Sequence, residues 1–135
     1  MRVTIEGDPV GKGRPRFTRQ GRAYTPKKTK DYESRVRRAW VKAGGPYLDG
    51  NIRIHVDAYF KMPSGWSRKK QDAMIGEPCA KKPDSDNILK SILDGLQGVA
   101  FEDDKQVTYC SVGKYWSRVG CAEVYVELAD ERSQT

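Results

Sequence analysis

The chain has 135 residues, 37% of them hydrophobic, with 25 Lys and Arg against 18 Asp and Glu, a formal net charge of +7. That length suits one domain around one modest core, and a mean hydropathy of −0.77 without a long apolar run or signal-like start gives no expectation of a membrane span. Three widely spaced cysteines, Cys79, Cys110 and Cys121, with no Cys-x-x-Cys and His55 as the single histidine, argue against a zinc knuckle, a disulfide framework or a Ser-His relay, so reduced thiols in the cytoplasm are expected.

The positive charge is regional. Residues 1–45 hold 13 Lys and Arg against 4 Asp and Glu, whereas residues 46–135 hold 12 against 14. A basic stretch of this kind suits a polyanionic partner, because each phosphate contact releases counterions; a merely solvated surface is the competing reading.

Val3 and Ile5 alternate with polar neighbours, predicting a short strand that ends at Gly7-Asp8-Pro9. Gly11-Lys-Gly-Arg-Pro-Arg then lacks the Gly-Lys-Ser/Thr ending of a phosphate-cradling loop, so no nucleotide cofactor is expected. Residues 16–24 read as a hairpin-like excursion around Gln20-Gly21. The basic arm, residues 11–30, offers Lys12, Arg14, Arg16, Arg19, Arg22, Lys27 and Lys28 as DNA-binding candidates. Phe17 and Tyr24 stand between these cations, either to touch exposed bases or to anchor the loop.

Thr25-Pro26 predicts a helix N-cap followed by proline at the first helical position, with the helix running to about Ala43 before Gly44-Gly45. Its apolar stripe is Tyr32, Val36, Ala39, Trp40 and Ala43, and Glu33 with Arg37 is expected to form an i, i+4 pair. Lys30, Arg35 and Arg38 are further candidates for DNA backbone contact. After Asp49-Gly50, Ile52, Ile54, Val56, Ala58 and Phe60 alternate with polar residues in the clearest strand of the chain. His55 falls on its polar face as a satisfied or solvent-facing histidine. Residues 63–80 carry the weakest pattern: Ser67 can cap a short helix through Ala73, and Trp66 beside Arg68, Lys69 and Lys70 either touches a partner or packs over the core.

The stretch from 84 to 104 reverses the charge, with Asp84, Asp86, Asp94, Glu102, Asp103 and Asp104 against a single lysine, Lys90. Pro83 disfavours helix at Lys82, so a helix is expected to start at Asp84 or Asp86, with Asp86 taken as the N-cap, and to end at Gly98. Ile88, Leu89, Ile92, Leu93 and Leu96 fill its apolar face, while Asp86, Lys90 and Asp94 stack four apart. If Asp103 and Asp104 enter a strand through Lys105-Gln-Val, one of them can face the Asp84 and Asp86 pair. Three unpaired carboxylates repel unless a pKa rises or a cation binds, and oxygen-only ligands suit Mg²⁺ or Mn²⁺. The alternative is a solvated surface with a helix cap.

Residues 107–115 and 122–128 read as two more strands, with Ser117-Arg-Val-Gly as a turn between them and a frayed tail at 129–135. The order predicts a single compact α+β domain: a mixed four-stranded sheet with two main helices packed on one face, and no internal repeat.

Lys-Pro-Asp-x-Asp-Asn-x-x-Lys at 82–90, Asp-Gly-Leu-x-Gly at 94–98 and Asp-Asp-x-Gln-Val at 103–107 together resemble the RusA family of Holliday junction resolvases, small endodeoxyribonucleases often encoded by prophages. Arg-Pro-Arg followed by Gly-Arg-x-Tyr-Thr-Pro is similar to the N-terminal pattern of phage-type members. The resemblance implies a catalytic segment at 81–107, with Asp84, Asp86 and Asp104 as metal ligands and Lys90 as the catalytic lysine. Asp103 is a further metal candidate, and Asp94 either orients Lys90 or forms a structural pair. It also implies Mg²⁺-dependent hydrolysis, with Mn²⁺ as substitute, of four-way DNA junctions by a homodimer. Two rivals stand beside it: a non-catalytic branched-DNA-binding accessory protein, and a hydrolase of small phosphoesters, which the basic first third disfavours.

Overall fold

In the computed structural model, which describes residues 1–129, the chain runs β1 (Arg2–Glu6), β2 (Arg16–Phe17), β3 (Ala23–Tyr24), α1 (Lys27–Lys42), β4 (Ile52–Lys61), α2 (Arg68–Met74) and α3 (Ser85–Leu96). A 3₁₀ turn (Asp104–Gln106), β5 (Val107–Ser117) and β6 (Cys121–Leu128) complete it. The strand order is β1-β6-β4-β5. β6 pairs antiparallel with both β1 and β4, and β4 pairs parallel with β5, so the sheet is mixed and the domain is α+β as expected.

Alternation decides which face is dry. Ile52, Ile54, Val56, Ala58 and Phe60 of β4 are fully buried, and Val3, Ile5, Ala122, Val124 and Val126 join them from β1 and β6. Tyr32, Val36 and Trp40 of α1 and Ile88, Ile92, Leu93 and Leu96 of α3 close over that face. Burying each aliphatic side chain of this size contributes about 1.5–3 kcal/mol, which fixes both helices on one side of the sheet. The stripe on α1 ends earlier than its spacing suggests. Ala43 is the C-cap and exposed, because the chain turns there and lays Gly45 against the Trp40 indole, where a side chain would have no room. At the other end Pro26, not Thr25, is the N-cap, without a side-chain capping bond.

Residues 10–13 cross the start of α3. The Lys12 N–H donates to the Asn87 carbonyl at 2.8 Å and the Ser91 hydroxyl to the Val10 carbonyl at 2.6 Å. The buried Thr29 hydroxyl accepts from the Gly13 N–H at 3.0 Å. Residues 76–79, unreadable from periodicity, run along the outer edge of β5 through bonds with Lys114 and Trp116, which shields an otherwise free strand edge. Ser67 caps α2 as expected, accepting from the Lys70 N–H, and Trp66 packs at a tilt against Trp116 with ring centres 5.0 Å apart. Of the tail expected to fray at 129–135, Ala129 is held, its N–H donating to the Asn51 carbonyl at 2.8 Å, and residues 130–135 lie outside the described residues. Among the described residues no helix is long and apolar enough to cross a membrane.

Candidate active site

Asp84, not Asp86, is the N-cap of α3. Its backbone is extended and its carbonyl accepts the first helical bond, from the Ile88 N–H at 3.1 Å. Asp86 therefore sits inside the first turn, with Oδ1 accepting from the Asn87 N–H at 3.0 Å. Both carboxylates are exposed at the helix end whose free N–H groups favour negative charge, and among the described residues neither forms an ion pair.

Lys90 lies one turn further on. Its Nζ is 2.9 Å from Asp104 Oδ2 and 3.2 Å from Asp94 Oδ1. The hydrogen bond to Asp104 raises the lysine pKa above its ordinary value against the opposing effect of burial, with Asp94 adding to the rise. The same hydrogen bond and charge hold the Asp104 carboxyl below the usual carboxylate range. Asp86 takes no part in this pairing.

The turn that presents Asp104 is fixed by its neighbours. Asp103 caps it, accepting from the Lys105 N–H at 2.9 Å, while Gln106 Oε1 accepts from the Glu102 and Asp103 N–H groups. Gln106 Nε2 then donates to the Gly50 carbonyl at 3.1 Å and ties the turn to the loop before β4. Gln106 was not singled out from the sequence, although Asp103-x-x-Gln106 has the spacing of a capping box and marks it.

Asp86 and Lys90 are separated by about 6 Å along the helix axis, at ~1.5 Å per residue. Asp94 and Asp104 both meet Lys90, while among the described residues Asp84 and Asp86 have no ion-pair partner. Among the described residues no three Asp, Glu, His or Cys side chains converge closely enough to hold a metal ion. The donor chemistry nonetheless fits a hard divalent cation: oxygen only, with two unpaired carboxylates and one whose second oxygen is free of Lys90.

A groove of about 670 Å³ runs past Asp84, lined by Arg14, Arg16, Lys28 and Lys82 from the arm and loops, and by Pro83 and Asn87. Among the described residues the side chains of Arg14, Arg16, Arg19, Arg22, Lys27 and Lys28 make no hydrogen bond or ion pair. Lys12 is different. Its Nζ lies 2.9 Å from both Glu33 Oε2 and Asp94 Oδ2, between α1 and α3, so it is not one of the free cations. This pairing also displaces the expected contact of Glu33 with Arg37, which instead donates to the Asp94 backbone carbonyl at 3.3 Å.

The hairpin of β2 and β3 forms as expected, with Arg16 opposite Tyr24 and Phe17 opposite Ala23, turning at Gly21 in the positive-φ region glycine favours. Phe17 is 69% exposed and Tyr24 is exposed too, so neither anchors the loop in the core. His55 is satisfied on the sheet face opposite the helices, 2.5 Å from Ser111 Oγ and 2.7 Å from Asp57 Oδ1.

Residues 6–129 match the family model described as Endodeoxyribonuclease RusA. The chain belongs to the RusA endodeoxyribonuclease family. The match spans the arm, the acidic segment and the whole sheet from the end of β1 onwards. The uncharacterized protein YqaN of Bacillus subtilis (strain 168) is 32% identical over 135 aligned residues, covering 93% of this chain and 94% of that protein. As a RusA-family endodeoxyribonuclease the chain is an enzyme of DNA.

Proposed function

We propose that the chain resolves four-way DNA junctions by Mg²⁺-dependent phosphodiester hydrolysis, acting as a homodimer. The observation that carries this reading is the groove that joins the basic arm to Asp84, on the same helix entrance from which Lys90, paired with Asp104, lies one turn further on. Asp84, Asp86 and Asp104 would hold the metal, with Asp103 fixing the turn that carries Asp104. Mg²⁺ bound there, or Mn²⁺ in its place, supplies charge neutralisation at the scissile phosphate and a more acidic attacking water.

The chain's own groups do the rest. Lys90 is an ammonium held at one point by Asp94 and Asp104, placed to stabilise charge that develops on the phosphorus oxygens or the leaving oxygen. A fixed contact of that kind is worth about 2.7–4 kcal/mol in other enzymes. Arg14, Arg16 and Lys28 neutralise backbone phosphates along the groove, and exposed Phe17 offers a stacking surface to bases that a junction leaves accessible. Two cuts in a symmetric junction need two such sites, which a two-fold dimer supplies. Tyr59, Tyr109, Tyr115 and Tyr125, on the sheet face that the helices leave open, support an assembly of two copies.

A second reading, a branched-DNA-binding protein without catalysis, is favoured by the lysine already seated on Asp104 and by the lack, among the described residues, of three converging metal-ligating side chains. Cleavage of a synthetic four-way junction and its linear duplex, in Mg²⁺ or EDTA, by wild type and Asp86→Asn separates the two. Paired symmetric nicks that need the metal and vanish in the variant are expected. Junction binding by both proteins with no cut under any divalent metal would leave the binding protein.

A further inference from the structure

We infer that Lys12 is a positioning residue that acts through Asp94 on Lys90, so that the DNA-gripping arm and the catalytic lysine share one frame; this rests on the nuclease reading above. Asp94 divides its two oxygens between two lysines, Oδ2 to Lys12 at 2.9 Å and Oδ1 to Lys90 at 3.2 Å. With Glu33 and Asp104 the result is a line of alternating charge, Glu33, Lys12, Asp94, Lys90, Asp104, that joins α1, the arm, α3 and the 3₁₀ turn.

The inner half of this line is sheltered and the outer half is open. Lys12 and Asp94 side chains are 25% and 18% exposed, against 48% and 34% for Lys90 and Asp104. Lys12 is also fixed through its backbone, by its own N–H on Asn87, with Gly11 pressed against Pro83 and Gly13 held by Thr29. Partial burial opposes its charge, yet the hydrogen bonds to Asp94 and Glu33 raise its pKa above the ordinary lysine value. Two of its three N–H donors are engaged by Asp94 and Glu33 and most of the side chain is covered, which favours a positioning role over a phosphate contact. Removing its charge leaves Asp94 free to turn both oxygens onto Lys90 and draw it from Asp104. Arg14, two residues on, belongs to the same anchored segment, so what fixes Lys12 also fixes where Arg14 starts from.

The test combines saturated single-turnover cleavage of a four-way junction in Mg²⁺ with junction binding in EDTA across a salt series. It compares wild type, Lys12→Met, Lys12→Arg, Asp94→Asn and the Lys12→Met/Asp94→Asn double variant. Lys12→Met should lower the saturated rate about tenfold or more, as small misplacements of catalytic groups do, while affinity and its salt slope stay at the wild-type values. Lys12→Arg should recover most of the rate, and the double variant should be no slower than the slower single one. A full rate at saturation with a salt slope shallower by about one would make Lys12 a phosphate contact and overturn the inference, as would multiplicative losses in the double variant. Should Lys12→Met melt below the assay temperature, Asp94→Asn decides: folded and cutting at the wild-type rate, it overturns the inference. Absence of cleavage by wild type sinks the nuclease reading and the inference with it, whereas wild-type cleavage matched by both single variants sinks the inference alone.

Discussion

Lys90 Nζ and Asp104 Oδ2 lie 2.9 Å apart although fourteen positions separate them in the chain. The contact crosses from the middle of α3 to the turn before β5, so it exists only when the helix and the sheet are both in place. It makes the lysine a fixed charge.

Replacing Lys90 with methionine keeps the length of the side chain and removes that charge. The saturated single-turnover rate on a four-way junction should fall about 10²–10³-fold, the loss typical of a deleted electrostatic contact to a transition state. Junction affinity measured in EDTA should change little. Lys90→Arg should not restore the rate, since a planar fork does not reproduce a point charge between Asp94 and Asp104. A variant that cuts at the wild-type rate would reduce Lys90 to an ion-pair partner.

The free cations of the arm should behave in the opposite way. Arg14→Ala and Arg16→Ala should each weaken junction binding and make the plot of log affinity against log salt shallower by about 0.9, the value for one lost phosphate contact, with the saturated rate preserved. Phe17→Ala should leave that slope alone and narrow the preference for junction over duplex, at about 1–3 kcal/mol per stacked base. Fluorescence anisotropy over a salt series reads all three.

Gly95 tests the packing that holds α3 in position. An added methyl would lie 2.7 Å from Val36 Cβ and 2.8 Å from the Glu33 carbonyl oxygen, inside the crossing of α1 and α3. Alanine in a helix gains about 1 kcal/mol over glycine, but overpacking costs about 1–3 kcal/mol, and a backbone carbonyl cannot swing aside. Gly95→Ala should therefore lower the free energy of unfolding, read from the urea midpoint at unchanged slope. An increase would mean that the two helices separate readily.

Lys12 supplies the pH dependence. In the unfolded chain it releases its proton near 10.5, and in the folded chain its bonds to Asp94 and Glu33 delay that release despite burial. Its stabilisation is therefore complete well below 10.5 and lost as pH rises through the folded value. Wild type should exceed Lys12→Met by about 1.5–3 kcal/mol, the scale of hydrogen bonds to charged groups. The difference should hold flat from pH 6 to about 9.5 and shrink above that. A difference that grew with alkalinity would contradict the pairing.

The sheet and both main helices could be read from the sequence because their signals are periodic. Five inward residues alternate without exception along β4, and Ile88, Ile92, Leu93 and Leu96 keep one helical face. The acidic stretch stood out through charge alone. What spacing did not contain is which acid meets which cation. Glu33 had Arg37 one turn away and took Lys12, twenty-one positions back, because the arm crosses α3 at that point. Spacing left open which of Asp103 and Asp104 faces the helix: the 3₁₀ turn takes Asp103 as its cap and sets Asp104 against Lys90, and the cap at Asp84 rather than Asp86 shifts the helix start by two residues. Residues 76–79 escaped notice because a strip bonded along one strand edge leaves no hydrophobic period.

The place of β6 has a consequence for how the enzyme comes into being. It is the last strand of the described chain and it lies between β1 and β4, bonded to both. A ribosome must therefore release it before β1 can join the sheet. Pairings across so much of the chain close slowly. A stalled or shortened product lacking β6 would carry every acidic residue of the site on a sheet that β1 has no strand to join.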